Sequence, residues 1–305
     1  MKNLLSMKEL AEEQIRDLIQ LGATMKAERG RHSSHPLRHE CWGLIFNKSS
    51  TRTRVSFEVG IRELGGDVLF LSANDIQLGR GEPIKDTARV LARMLHGAVI
   101  RTFAQNDVVE FASYSGLPTI NALTDEEHPC QVLADLLTMQ EKLGRIEGTK
   151  VCYVGDGDSN MARSWIWAAE RLGFQLVLAA PKKYQPSTGY LAQLNSGAVT
   201  CSEDVYAAAK SADVLYTDVF VSMGQEADSA VRLADLAGYQ INSALLAEAK
   251  SSALVMHCLP AYRGKEITEE VLEAHAQTIF DEAENRLHAQ KAVLVRVCRE
   301  AQTKN

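Results

Sequence analysis

The first half of the chain alternates short apolar runs with stretches of helical period. Runs at 41–46 (CWGLIF), 67–71, 97–101 and 118–122 have strand length, and the segments 52–65, 85–95 and 107–115 between them read as helices. This βα rhythm, preceded by an amphipathic opening helix, predicts a parallel sheet covered by helices. A long helical pattern from Pro129 to Leu143, ended by Gly144, reads as a link. A second series starts at Lys150-Val151-Cys152-Tyr153-Val154-Gly155 and continues with apolar runs at 175–180, 197–201, 213–217, 253–257 and 277–280. The expected fold class is therefore α/β, with two doubly wound parallel-sheet domains joined by linking helices. The domains are expected at 1–135 and 136–283, with the helical segment from about 284 to 305 packing back on the first.

Composition narrows the class. At 305 residues the chain exceeds a usual single core, and 46% hydrophobic with 24% charged residues suits a packed enzyme-sized protein. A formal charge of −6 argues against a nucleic-acid partner, so an anionic ligand must be held locally. The six cysteines, at 41, 130, 152, 201, 258 and 298, show no metal-ligand spacing and read as reduced thiols. The first 21 residues carry charges among their apolar positions, which fits neither a signal peptide nor a membrane span. The expected location is the cytoplasm.

Candidate chemistry lies where the strands end, because open α/β sheets bind ligands beyond the carboxyl ends of their strands. The run 41–46 leads into Ser49-Ser50-Thr51-Arg52-Thr53-Arg54, at what reads as the first turn of a helix. Cations are disfavoured at that positive end, so something negative belongs there. Ser49 or Ser50 can cap, Thr51 and Thr53 offer hydroxyls, and the first-turn N–H groups complete an anion cradle. The bland alternative is a capped helix whose arginines splay into solvent. The run 97–101 ends in Arg101-Thr102, and 118–122 leads to His128-Pro129-Cys130-Gln131. In the second half the strand ends carry Gly155-Asp156-Gly157-Asp158-Ser159-Asn160, then Asp218 with Ser222-Met223-Gly224, then His257-Cys258-Leu259-Pro260. These suit an amino acid better than a phosphate: Asp218 for an ammonium, Asn160 with main-chain N–H groups for a carboxylate. Taken singly, Asp218 also reads as a turn former, Met223 as core filler and His257 as a buried, satisfied imidazole. A dinucleotide site is disfavoured, since the glycine turn lacks its third glycine and the next strand ends in Ala179-Ala180-Pro181 without an acid.

Taken together and in order, SSTRTR, QLGRGE at 77–82, Arg101-Thr102, HPCQ at 128–131, GDGDSNMARS at 155–164, the D-x-x-x-SMG stretch at 218–224, HCLPAYRG at 257–264 and AENRLHAQKA at 283–292 resemble the ornithine carbamoyltransferase family. STRTR and HP-x-Q are shared with aspartate carbamoyltransferases and mark carbamoyl phosphate. SMG and HCLP discriminate, because an aspartate site is expected to show basic residues and Pro-Leu-Pro. Two positions depart from the family pattern: Ser49 replaces a common proline, and Gly97 stands where an acid is common.

The resemblance implies transfer of the carbamoyl group of carbamoyl phosphate to the δ-amine of ornithine, giving citrulline and phosphate. It implies a carbamoyl phosphate set of Ser50, Thr51, Arg52, Thr53, Gln77, Arg101, His128, Pro129, Cys130, Gln131, Cys258, Leu259 and Arg286. The implied ornithine set is Asn160, Asp218, Ser222 and Met223. Arg52, Arg101, His128 and Cys258 carry the implied catalytic roles, with Cys258 a candidate for accepting the amine proton as a thiolate or through its surroundings. Gln77 is expected from a neighbouring subunit of a homotrimer with shared sites. No metal and no organic cofactor is expected, since carbamoyl phosphate is already activated. A ligand sensor on the same fold and a carbamoyltransferase for another amine, such as putrescine or an acylated ornithine, are the competing readings.

Overall fold

A computed structural model describes residues 1–72, 81–222 and 226–302, without the side chains at 226 and 299–302. The chain divides into two compact units, Met1–Leu137 with Glu284–Asn305, and Thr138–Ala283. The first contains α1 (Glu12–Ala27), β1 (Cys41–Phe46), α2 (Thr51–Glu63), β2 (Asp67–Ser72), α3 (Ile84–Leu91), β3 (Gly97–Arg101), α4 (Gln105–Ser115), β4 (Thr119–Leu123) and most of α5 (Pro129–Leu143). The second contains β5 (Lys150–Val154), α6 (Asn160–Leu172), β6 (Gln175–Ala179), α7 (Thr188–Leu191), β7 (Val199–Ser202), α8 (Val205–Ala209), β8 (Val214–Thr217), α9 (Ser229–Leu236), α10 (Ser243–Leu246), β9 (Leu254–His257) and α11 (Glu269–Ala274). It also holds the start of α12 (Ala276–Gln302), whose remainder belongs to the first unit. Among the described residues, no helix is long and apolar enough to cross a membrane.

Both sheets are parallel throughout, with strand orders β2-β1-β3-β4 and β7-β6-β5-β8-β9. In each sheet the chain enters at an inner strand, fills one side, then crosses to the other. The reversal falls between β1 and β3 in the first sheet and between β5 and β8 in the second. Connections leave these neighbouring strands in opposite directions and open a crevice at the carboxyl edge. Helices close the faces: Ile45, Ala98 and Ile100 pack with Ala88, Val108 and Phe111 in the first unit, while Val154, Leu215 and Val255 pack with Ala209, Leu245 and Val271 in the second.

The segment 277–280, expected as a sixth strand of the second sheet, is helical and lies in the first turns of α12. Main-chain N–H groups of Thr278 and Ile279 donate to His275 O at 3.0 and 3.2 Å, so helical bonding resumes directly after α11. Ile279 is buried while Phe280 next to it is exposed. A four-residue apolar run is too short for its period to separate strand from helix.

Candidate active site

Helix α2 begins at the reversal point of the first sheet. Ser50, in extended conformation, caps it by accepting from Thr53 N at 3.2 Å, so the cap is Ser50 and not Ser49. The two arginines of the turn part company. Arg54 stacks on the Phe70 ring at 3.7 Å and bonds Glu58 at 3.2 Å, which uses it structurally. Arg52 instead lies close enough to His128 to act on its titration, as do Arg101 at the end of β3 and Arg286 on α12. Lys48, also buried, pairs with Asp125 and sits 4.3 Å above Phe103.

His128 ends the β4–α5 connection and is buried. Burial, reinforced by Arg286, Arg101 and Arg52, holds its imidazole well below the usual range, so the ring is neutral near pH 7. Pro129 opens α5, where its missing N–H is no loss. Cys130 turns its thiol to Asn121 O at 3.3 Å, and burial pushes that thiol up to about 12. Its side chain is thus an inert part of the core. Gln131 is buried and accepts from Arg286 Nη1 at 2.6 Å, and Thr53 Oγ1 accepts from Arg286 Nη2 at 3.0 Å. The first unit therefore draws the start of α2, Arg101, the start of α5 and Arg286 into one basic cluster around a neutral histidine.

In the second unit the candidate residues follow β5, β8 and β9, three consecutive strands of the sheet. Ser159 caps α6 by accepting from Ala162 N at 3.2 Å, which leaves Asn160 as the first helical residue. Asp218 and Cys258 meet directly: the thiol donates to Asp218 Oδ1 at 2.9 Å, and Val219 N donates to the same oxygen at 2.7 Å. Burial raises the Asp218 carboxyl above its ordinary value, with His257, the Cys258 thiol and the Val219 N–H pulling it back. This is the geometry of a thiol. The thiolate allowed for by sequence reasoning would set two anions side by side.

His257 lies close to this pair but is tied up structurally. Its Nδ1 accepts from Leu259 N at 2.9 Å, which puts the ring proton on Nε2, 3.1 Å from Glu266 Oε1. It is a satisfied, buried imidazole that holds the turn at Leu259, a non-glycine residue at φ 57°. Asp218, His257 and Cys258 offer one metal-ligand atom each within 4.8 Å of one another, though each is engaged in the bonds just described. Ser222 is part of the β8–α9 connection. Gln77 and Met223 lie outside the described residues.

Sequence reasoning missed Arg232 on α9. Its Nε donates to Phe220 O at 2.8 Å and its Nη2 pairs with Asp156, so it ties the loop after β8 to the loop after β5. It also missed Glu266 and Glu282, buried acids that accept from His257 Nε2 and, at 2.9 Å, from His257 N. No local pattern marks these three, because the bonds just described join positions 9 to 76 residues apart that only the fold brings together.

A family model described as the carbamoyl-P binding domain of aspartate/ornithine carbamoyltransferase matches residues 2–141, and one described as the Asp/Orn binding domain of the same proteins matches residues 147–297. An ornithine carbamoyltransferase of Akkermansia muciniphila is 60% identical over 296 residues, covering 96% of this chain and 97% of that relative. The anabolic ornithine carbamoyltransferase of Campylobacter jejuni superposes with a TM-score of 0.92 at 40% identity, covering 98% of this chain and 100% of that one. The enzyme of Pyrococcus furiosus gives 0.90 at 43% identity, with 96% of each chain covered. With both domain models matched in order and full-length likeness to several of its members, the chain belongs to the aspartate/ornithine carbamoyltransferase family, among the ornithine carbamoyltransferases.

Proposed function

We propose that the protein transfers the carbamoyl group of carbamoyl phosphate to the δ-amine of L-ornithine, releasing L-citrulline and phosphate. The observation that carries the reading is His128, buried and neutral among Arg52, Arg101 and Arg286. A cluster that concentrates positive charge yet keeps its imidazole neutral suits a phosphate dianion next to a carbonyl. The arginines and the start of α2 answer the phosphate. Donors aimed at the carbonyl oxygen, from Arg101, His128 and the Thr53 hydroxyl, stabilise the charge that develops there. Thr53 Oγ1 accepts from Arg286, which leaves its own proton to donate.

Asp218 answers the ornithine side chain, with Asn160, Ser222 and Met223 completing that set. An alkyl ammonium with a pKa near ~10.4 must lose a proton before it attacks, and an anionic Asp218 raises that pKa further. Binding and deprotonation are thus opposed, and turnover rises with pH. Carbamoyl phosphate supplied with ornithine, putrescine, acetylornithine or aspartate, and scored for phosphate release, tests the assignment. Ornithine is expected to give the highest kcat/KM; equal or better use of aspartate or putrescine refutes it.

The same reading places the protein in the cytoplasm, in arginine metabolism, as a homotrimer with Gln77 donated to a neighbouring subunit's site. A closed ring is the simplest arrangement for sites shared head to tail. Mixed Arg52→Ala and Gln77→Ala chains, each inactive alone, are expected to regain part of their activity through hybrid sites. No recovery after confirmed subunit exchange removes Gln77 from the neighbour's site.

A further inference from the structure

Arg286 is 3% exposed, and a four-torsion side chain so deeply placed needs its orientation fixed before an anion arrives. Two of its contacts, Gln131 Oε1 and Thr53 Oγ1, belong to the proposed carbamoyl phosphate set. Two further residues, assigned no role so far, determine how those contacts are made.

The first is Gln290, fully buried one helical turn after Arg286 on α12. Ser56 Oγ lies 2.7 Å from Arg52 O and 3.2 Å from Thr53 O, so its single proton is committed to the α2 main chain. Towards Gln290 that hydroxyl can only accept. The Gln290 amide nitrogen therefore faces Ser56 at 2.6 Å, and its oxygen faces Arg286 Nε at 3.1 Å and Nη2 at 3.0 Å. The second is Asp135, fully buried one turn after Gln131 on α5. Gln131 Nε2 donates to Asp135 Oδ1 at 2.8 Å while Gln131 Oε1 accepts from Arg286. A flipped Gln131 amide would turn its NH2 on the guanidinium and its oxygen on the carboxylate. Asp135 thereby sets the sense of the amide, and with it the acceptor that Arg286 meets.

We propose that Gln290 and Asp135 are positioning residues for Arg286, which they fix from two sides through unidirectional hydrogen bonds before carbamoyl phosphate binds. The inference rests on the reading of Arg286 as a carbamoyl phosphate group. Each helix that supplies a ligand-facing side chain also supplies, four residues on, the group that orients it. Ordering the guanidinium in advance removes that cost from the binding step.

Calorimetric titration with carbamoyl phosphate, and separately with inorganic phosphate, tests the proposal alongside melting temperatures. Gln290→Leu and Asp135→Leu are expected to weaken carbamoyl phosphate binding about tenfold or more, the loss of one hydrogen bond to a charged group. Asp135→Asn keeps an acceptor for Gln131 and should stay within about twofold of the wild type. Should Gln290→Leu not fold, Gln290→Met, of the same length, takes its place. Adding Gln290→Leu to Arg286→Ala should cost no further affinity. If Arg286→Ala itself leaves affinity unchanged, the reading of Arg286 fails. If Arg286→Ala weakens binding but the Gln290 and Asp135 variants only lower the melting temperature, or weaken it equally without Arg286, the positioning role fails and that reading survives.

Discussion

Cys258 carries the plainest residue-level consequence. Its thiol donates to the carboxylate proposed to hold the ornithine ammonium, and that bond favours the charged form of Asp218. Removing it should weaken ornithine binding while leaving the proton route intact. Cys258→Ala is therefore expected to raise the ornithine KM by about three- to tenfold, the scale of one ordinary net hydrogen bond, with the pH profile of kcat unchanged. A loss of roughly 10²-fold in kcat with an altered profile would instead mark the sulfur as a general base. Steady-state kinetics from pH 6 to 9 separates the two. The residue types at this site were legible in HCLP and in the Asp after the eighth strand. The direction of the S–H was not, because it depends on how two loops 40 residues apart fold against each other.

At the scale of elements, Gly97 shows why a departure from the family pattern need not be a defect. It stands at the start of β3, directly beside Trp42 of β1 in the parallel register. A Cβ there would meet the Trp42 ring at 2.5 Å, and Trp42 is fully buried, its Nε1 donating to Glu40 at 2.9 Å. The indole fills the space that a side chain at 97 would need. Gly97→Ala is expected to destabilise the protein by about 1–3 kcal/mol, the usual cost of overpacking, read by chemical denaturation. An unchanged midpoint would mean that β1 and β3 part without penalty. The boundary between α11 and α12 is the opposite lesson: QTIF at 277–280 looks extended in isolation and is helical because His275 carries bonds of both helices.

For the molecule as a whole, buried titratable groups oppose one another in pH. Glu127, beside His128 in sequence, accepts from Met7 N at 2.8 Å and from Ser6, pinning the N-terminal segment to its unit. Burial raises its carboxyl from 4.5 to about 7. The native state thus binds a proton that the unfolded chain has released, so this contribution is complete below about 4.5 and is lost as pH rises through about 7. His288 runs the other way: burial lowers it from 6.5 to about 4, and stability falls on acidification across that window. The two slopes overlap and partly cancel in the wild type. Glu127→Gln should expose the imbalance, its melting temperature gaining on the wild type from pH 5 to pH 8 by at most about 3 kcal/mol equivalent. A constant difference across that range excludes ionisation of Glu127 as its source.

The sequence by itself determined what local periodicity and residue chemistry encode: two βα series, a link ending in glycine, and strand ends crowded with hydroxyl, basic and acidic groups. Strand ends are where parallel sheets expose polar chemistry, so the candidate residues could be found without coordinates. Tertiary structure decided which of them act on one another. It turned Arg54 onto Phe70 and left Arg52 with His128. It made His257 a structural imidazole, Cys130 a core thiol and Cys258 a donor. The physical reason is common to all of these. Hydrogen-bond direction, burial and the field of neighbouring charges depend on groups brought together from distant parts of the chain, and no spacing within one segment records them.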